Sequence, residues 1–141
     1  MRELWNGVLF IAYEKSIMQG LGGKAAVEVV YGVPDVGCES DMHKIFSMIS
    51  DLVDSNCVYG FDAFERGCDS RYLIENKDRM MASEVSRLYR QTKKLIVENR
   101  GFFDNVVEEL IEKKTLTFRD MERIRNNNSG SMPRGGSKNA V

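Results

Sequence analysis

Prolines stand at only two positions, 34 and 133, and that scarcity constrains this chain more than any other feature. A proline inside a helix removes a backbone donor and clashes with the preceding turn. Nearly the whole chain is therefore free to be helical, and its apolar residues recur at helical spacing. Met42, Ile45, Phe46, Ile49, Leu52 and Val53 follow an i, i+3, i+4, i+7 pattern, which predicts a helix over 40–55 with one apolar face. Ser40 is placed as its N-cap and Asp41 as its first helical residue.

The remaining segments follow the same logic. Residues 3–19 predict a helix, and Leu21-Gly22-Gly23 an interruption, because each glycine in a helix costs about 1 kcal/mol relative to alanine. The run "KAAVEVVYG" resumes as helix with Ala25, Ala26, Val29 and Val30 on one side, and Gly32-Val33-Pro34 stops it. Residues 56–79 read as a loop, with a short strand or turn near "CVYGF". A second long helix is expected over 80–99, with Val85, Leu88, Thr92, Leu95 and Ile96 on one face. "NRG" at 99–101 breaks it. "FFDNVVEELIEKK" continues with Phe103, Val106, Val107, Leu110 and Ile111 inward. A last helix starts near Thr117, where Asp120 three residues later makes a capping box with Asp in place of Glu or Gln; Met121 and Ile124 face in. The Gly-, Ser- and Asn-rich stretch 126–141 has too little apolar content to offset the entropy of ordering and reads as a disordered tail. The expected fold is all-α, four to six helices in one bundle-like domain over 1–125.

Composition removes several function classes. The formal net charge of −1 supplies no basic field for nucleic acid. Three cysteines without CxxC spacing (Cys38, Cys57, Cys68) argue for unpaired thiols and a reducing compartment rather than a disulfide framework. The longest apolar patch, "GVLFIAY", is far short of the roughly 20 residues a spanning helix needs. A cytoplasmic location is expected, on the cytoplasmic face of a membrane if the chain is fused to an anchored partner.

Catalytic signatures are sparse. His43 is the only histidine, so any Ser–His–Asp or Cys–His arrangement has to use it. In a helix it lies about 200° round from Asp41, which makes it a solvated surface histidine. No Walker, GxGxxG or GxSxG pattern occurs. "GLGG" lacks the Lys-Ser/Thr of a phosphate loop, and the small residues of "LGGKAAVE" suit close helix contact. Asp41 reads in two ways: a first-turn acid favoured by the helix dipole, or a metal ligand.

The order of segments favours the second reading. "LGGKAAVEVVYG", then "GCESD" opening an apolar-striped helix, then "ENRGFFDNVVEELIEKKTLT" and a final helix resemble the C-terminal peptidase domain of the FtsH-type ATP-dependent zinc metalloproteases. Lys24 stands where that family has Arg in its Gly-Gly-Arg run, Tyr31-Gly32 matches its aromatic-Gly, and Gly37 to Asp41 matches its Gly-Ala-x-x-Asp. Val27 replaces the first of its two glutamates, leaving Glu28. The resemblance covers roughly residues 17–125. It implies a helical domain that binds one Zn²⁺ through two histidines of an HExxH helix and the Asp of the third motif, here Asp41. It also implies an upstream AAA ATPase module, polypeptide substrates and a hexameric homo-oligomer. HExxH is absent from this chain, and a catalytic zinc needs three protein ligands and an open position. Two functions are therefore expected: part of an ATP-dependent zinc metalloendopeptidase, inactive as the isolated chain, or a non-catalytic helical oligomerisation or docking module derived from one.

Overall fold

The structure is a computed structural model that describes residues 2–34, 36–56 and 71–129, with backbone alone at 2–10, 55 and 56. The described residues form five helices and no strand: α1 (Arg2–Tyr31), α2 (Glu39–Asn56), α3 (Arg71–Glu98), α4 (Arg100–Lys113) and α5 (Phe118–Ser129). The all-α expectation holds. The helices fall into two compact units, residues 1–97 and 98–141, where the sequence alone suggests one domain over 1–125.

The first unit is built by α1, α2 and most of α3. Its core joins Ile17 and Leu21 of α1, Ile45, Ile49 and Val53 of α2, and Val85 and Leu88 of α3. Met18, Met42, Met48, Met80 and Met81 pack around this cluster, using the adaptability of the thioether side chain to fill its margins.

Contrary to expectation, α1 runs straight through Gly22-Gly23. Ile17, Leu21 and Ala25 are all but fully buried and succeed one another every four residues. Burying an Ile or Leu side chain is worth about 1.5–3 kcal/mol, which outweighs about 1 kcal/mol per glycine. The close approach that small residues permit occurs at Gly20, two residues before the pair. A Cβ on Gly20 would stand 3.2 Å from Ile45 Cγ1, whereas one on Gly22 or Gly23 would meet nothing within 4 Å. The stop at Gly32 is as expected: its φ is +70°, and its N–H donates to the Glu28 carbonyl at 2.8 Å.

Helix α2 begins earlier than its sequence suggests. The Cys38 carbonyl accepts the Met42 N–H at 3.0 Å, so Cys38 occupies the N-cap position and Ser40 lies inside the first turn. The apolar stripe buries Ile45, Ile49, Leu52 and Val53, while Phe46 remains 37% exposed. Helix α3 likewise starts at Arg71 rather than near 80, so 71–79 is helix and not loop. At this end the buried Lys77 ammonium pairs with Asp54 of α2 at 2.7 Å. "CVYGF" lies outside the described residues. Val85, Leu88 and Thr92 are buried as expected, but Leu95 is 51% exposed.

The second unit is the α4–α5 pair. Asn99 supplies the expected break between α3 and α4: it is the N-cap of α4, and its carbonyl accepts the Phe103 N–H at 2.9 Å. Helix α4 ends at Lys114 in the left-handed region, whose N–H returns to the Leu110 carbonyl. The capping box of α5 forms with its aspartate. Asp120 N–H donates to Thr117 Oγ1 at 3.3 Å, and Thr117 N–H returns to Asp120 Oδ2 at 2.9 Å. Ile124 is buried. No residue of α4 is fully buried; Leu110 is 45% and Ile111 65% exposed, which overturns the inward face expected for them. Arg123 to Glu109 at 2.7 Å and Lys113 to Asp120 at 3.2 Å tie the two helices together. Helix α5 extends through Ser129, so 126–129 are helical; residues 130–141 lie outside the described residues.

Candidate metal-ligand position at the start of helix α2

The site is set by where α1 stops and α2 starts. Gly32 ends one helix and Cys38 caps the next, and the first turn of α2 carries Glu39 and Asp41. Carboxylates there are favoured because the N-terminal N–H groups and the aligned peptide dipoles present partial positive charge. Asp41 is the third residue of α2. Its side chain is 57% exposed, and its ion-pair partner is Lys44 at 3.9 Å, a loose surface contact. His43 pairs with Glu39 at 4.0 Å, both side chains in solvent. It does not converge on Asp41, in keeping with its place on the helix.

Behind this turn lies a better-held set of charges. Glu28, in the last turns of α1, accepts a hydrogen bond from the Tyr89 hydroxyl of α3. Lys93 Nζ donates to the other Glu28 oxygen at 3.0 Å and stands 5.0 Å from the Tyr89 ring centroid, in cation–π range. The Tyr89 bond, then Lys93, hold the Glu28 carboxyl below its ordinary value. Burial, then the bond to Glu28 and the nearby charges of Glu28 and Cys38, push the Tyr89 phenol up to about 12. Glu28 is legible in the sequence as the surviving half of a Glu-Glu pair. Tyr89 and Lys93 carry no such signal; their only mark is a spacing of one turn, beside the Leu88–Thr92 stripe.

As a metal centre the described residues are incomplete. Asp41 has the right donor chemistry for one Zn²⁺ ligand, but no group of three His, Cys, Asp or Glu among the described residues could hold a metal ion. They do not by themselves fit a zinc site. No helix among the described residues is long and apolar enough to cross a membrane.

Comparison with known proteins agrees with the motif order. No family model matches the chain. It is 32% identical to the ATP-dependent zinc metalloprotease FtsH of Lachnoclostridium phytofermentans, over 77% of this chain and 19% of the relative. It is 27% identical to the FtsH of Cyanidium caldarium and 27% identical to that of Thermus thermophilus, in each case over 77% of this chain and 20% of the relative. An all-helical chain with this carboxylate-led helix is thus a relative of zinc metalloproteases. It belongs to the FtsH-type ATP-dependent zinc metalloprotease family, and it spans about a fifth of the length of the curated relatives it matches.

Proposed function

We propose that this chain is the helical C-terminal part of the peptidase domain of an ATP-dependent zinc metalloendopeptidase, and that Asp41 offers the third zinc ligand. The observation that carries this reading is the Asp41 carboxylate: exposed at the head of α2, held only by a 3.9 Å contact to Lys44, and standing at the Asp of the family's Gly-Ala-x-x-Asp run. The two histidine ligands and the glutamate base belong to an HExxH segment outside this sequence. The isolated chain hydrolyses no peptide bond, because one carboxylate cannot hold and activate a zinc-bound water. In its working assembly it joins an AAA ATPase module and further copies of itself, and acts on polypeptides.

The test is complementation. The chain is produced joined to an HExxH-bearing segment from its own reading frame, and zinc content and casein hydrolysis are measured. Stoichiometric zinc and hydrolysis, both lost in Asp41→Asn, are expected. One tightly held zinc in the isolated chain, or full zinc retention in Asp41→Asn, overturns the assignment.

The exposed side of α4, with Val107, Leu110 and Ile111 in solvent, favours a second reading as a non-catalytic docking or oligomerisation module. Light scattering on the purified chain tests it; a monomer at all concentrations rejects it.

A further inference from the structure

Helix α4 buries no residue fully, and its long sides differ. Asn105, Glu109 and Lys113 are turned to α5, bonded to Asn128, Arg123 and Asp120. Phe103, Val107 and Leu110 lie about 130° round the helix from that row, and within about 60° of one another. Val107 and Leu110 are exposed, as is Ile111 beside them. Their spacing of four and then three residues, continued by four to Lys114, is that of a coiled-coil seam. An apolar row of this kind ordinarily lies against another element; here it meets solvent.

The charges at the two ends of the row decide what fits it. Near its start, one oxygen of the half-exposed Asp104 carboxylate accepts from Arg100 at 2.8 Å, which leaves the other open to a second donor. At its end, Lys114 uses its backbone N–H to close α4 on Leu110. Its side chain is exposed and makes no ion pair among the described residues. A second α4 laid antiparallel over the row, about a two-fold axis near Glu109, sets Val107 against the copy's Ile111 and Asp104 against the copy's Lys114. The symmetry makes each of these contacts twice. A parallel copy instead sets Asp104 on Asp104 and Lys114 on Lys114, and like charges so placed repel. Glu108 and Glu112 lie more than about 120° from the row and stay clear of the contact.

We propose that the exposed side of α4 docks a second copy of this chain, as an antiparallel two-fold pair held by Val107, Leu110 and Ile111 and oriented by Asp104 and Lys114. This pairing rests on the reading of the chain as an oligomerisation module, and it names the partner and the geometry; Asp41 and zinc take no part in it. A two-fold contact closes at two copies. One helix face is small beside the roughly 800 Å² per partner of a standard interface. The pair is therefore weak, half formed at roughly 10–100 μM chain.

Sedimentation equilibrium of the full chain from about 1 μM to about 1 mM provides the test, with circular dichroism to show that each variant keeps its helices. A monomer–dimer equilibrium is expected in that range. Leu110→Asp places a charge at the middle of the row and is expected to leave monomer alone. Asp104→Lys and Lys114→Asp each turn two attractions into two repulsions, and each is expected to weaken pairing about tenfold. Aspartate is accepted in the left-handed backbone at 114. The double exchange restores opposite charges and is expected to return pairing to within about threefold of the parent chain. Monomer throughout overturns both the pairing and the oligomerisation reading. An oligomer that ignores Leu110→Asp, a double exchange no tighter than the single ones, or a series of species beyond two copies overturns the pairing alone.

Discussion

The Tyr89 hydroxyl donates to the Glu28 carboxylate, joining two helices through residues 61 apart in sequence. The phenol is held protonated by burial and by this bond, up to about 12, against about 10 for an unfolded tyrosine. Between those values the unfolded chain has lost the proton that the folded chain keeps. The stability this contributes is thus present below about pH 10 and is lost as pH rises toward 12. Tyrosinate absorbance is expected to show one late-titrating tyrosine, absent in Tyr89→Phe. An alkaline transition identical in both proteins would contradict the assignment.

Glu28 titrates with the opposite sign. Its carboxyl is lowered by the Tyr89 bond and by Lys93, so its contribution is complete above the ordinary carboxylate range and declines as pH falls below it. Urea unfolding between pH 3 and 7 is expected to show a smaller acid loss in Glu28→Gln than in the parent chain.

Gly20 and Gly22 are expected to respond oppositely to alanine. Gly22 has nothing within 4 Å of its missing Cβ, so Gly22→Ala is expected to stabilise the first unit by about 0.5–1 kcal/mol. At Gly20 the new methyl meets Ile45 Cγ1 at 3.2 Å and Cδ1 at 3.3 Å. Overpacking of about 1–3 kcal/mol then offsets the gain in propensity, and Gly20→Ala is expected to be neutral or destabilising. Urea midpoints of the two variants decide the matter.

Ile49 and Ile111 look alike as stripe positions in sequence, but only the first is buried. Ile49→Ala is expected to cost about 2–5 kcal/mol through lost transfer energy and the cavity left behind. Ile111, 65% exposed, is expected to change stability by about 0.5 kcal/mol or less on truncation. A comparable loss at both positions in denaturation would show that α4 is covered in solution.

Thr117→Ala removes one half of the reciprocal cap at the head of α5 and is expected to cost about 1 kcal/mol, read as faster exchange of the first α5 amides. The Thr117 N–H, then its hydroxyl and Lys113, hold the Asp120 carboxyl well below the usual carboxylate range. The cap is therefore expected to persist through mild acid and to be lost only as pH falls well below about 4.

Much of this protein was legible from local signals, because those signals act over one or two turns. Gly32 supplies a positive φ, Asn99 starts a new helix, and Thr117 with Asp120 closes a reciprocal cap; each needs only its neighbours. The stripe from Ile45 to Val53 was equally readable, since a 3.6-residue period has one buried side wherever it packs. The motif order that pointed to Asp41 and to the family is also a property of the chain alone.

Tertiary packing decided the rest. Periodicity marks a stripe but not whether a partner covers it, which is why the α2 face is buried and Leu110 and Ile111 of α4 are not. A helix-breaking glycine pair stayed helical because Ile17, Leu21 and Ala25 bury more free energy than the glycines cost. Cys38 rather than Ser40 takes the cap position, its carbonyl accepting the Met42 N–H, so Ser40 lies inside the first turn. The sequence by itself thus determined that the chain is helical, where most helices end, and that Asp41 lies in the first turn of α2. Only the three-dimensional structure brought Tyr89 and Lys93 to Glu28, because a contact across 61 residues depends on how three helices pack and leaves no periodic trace in the chain.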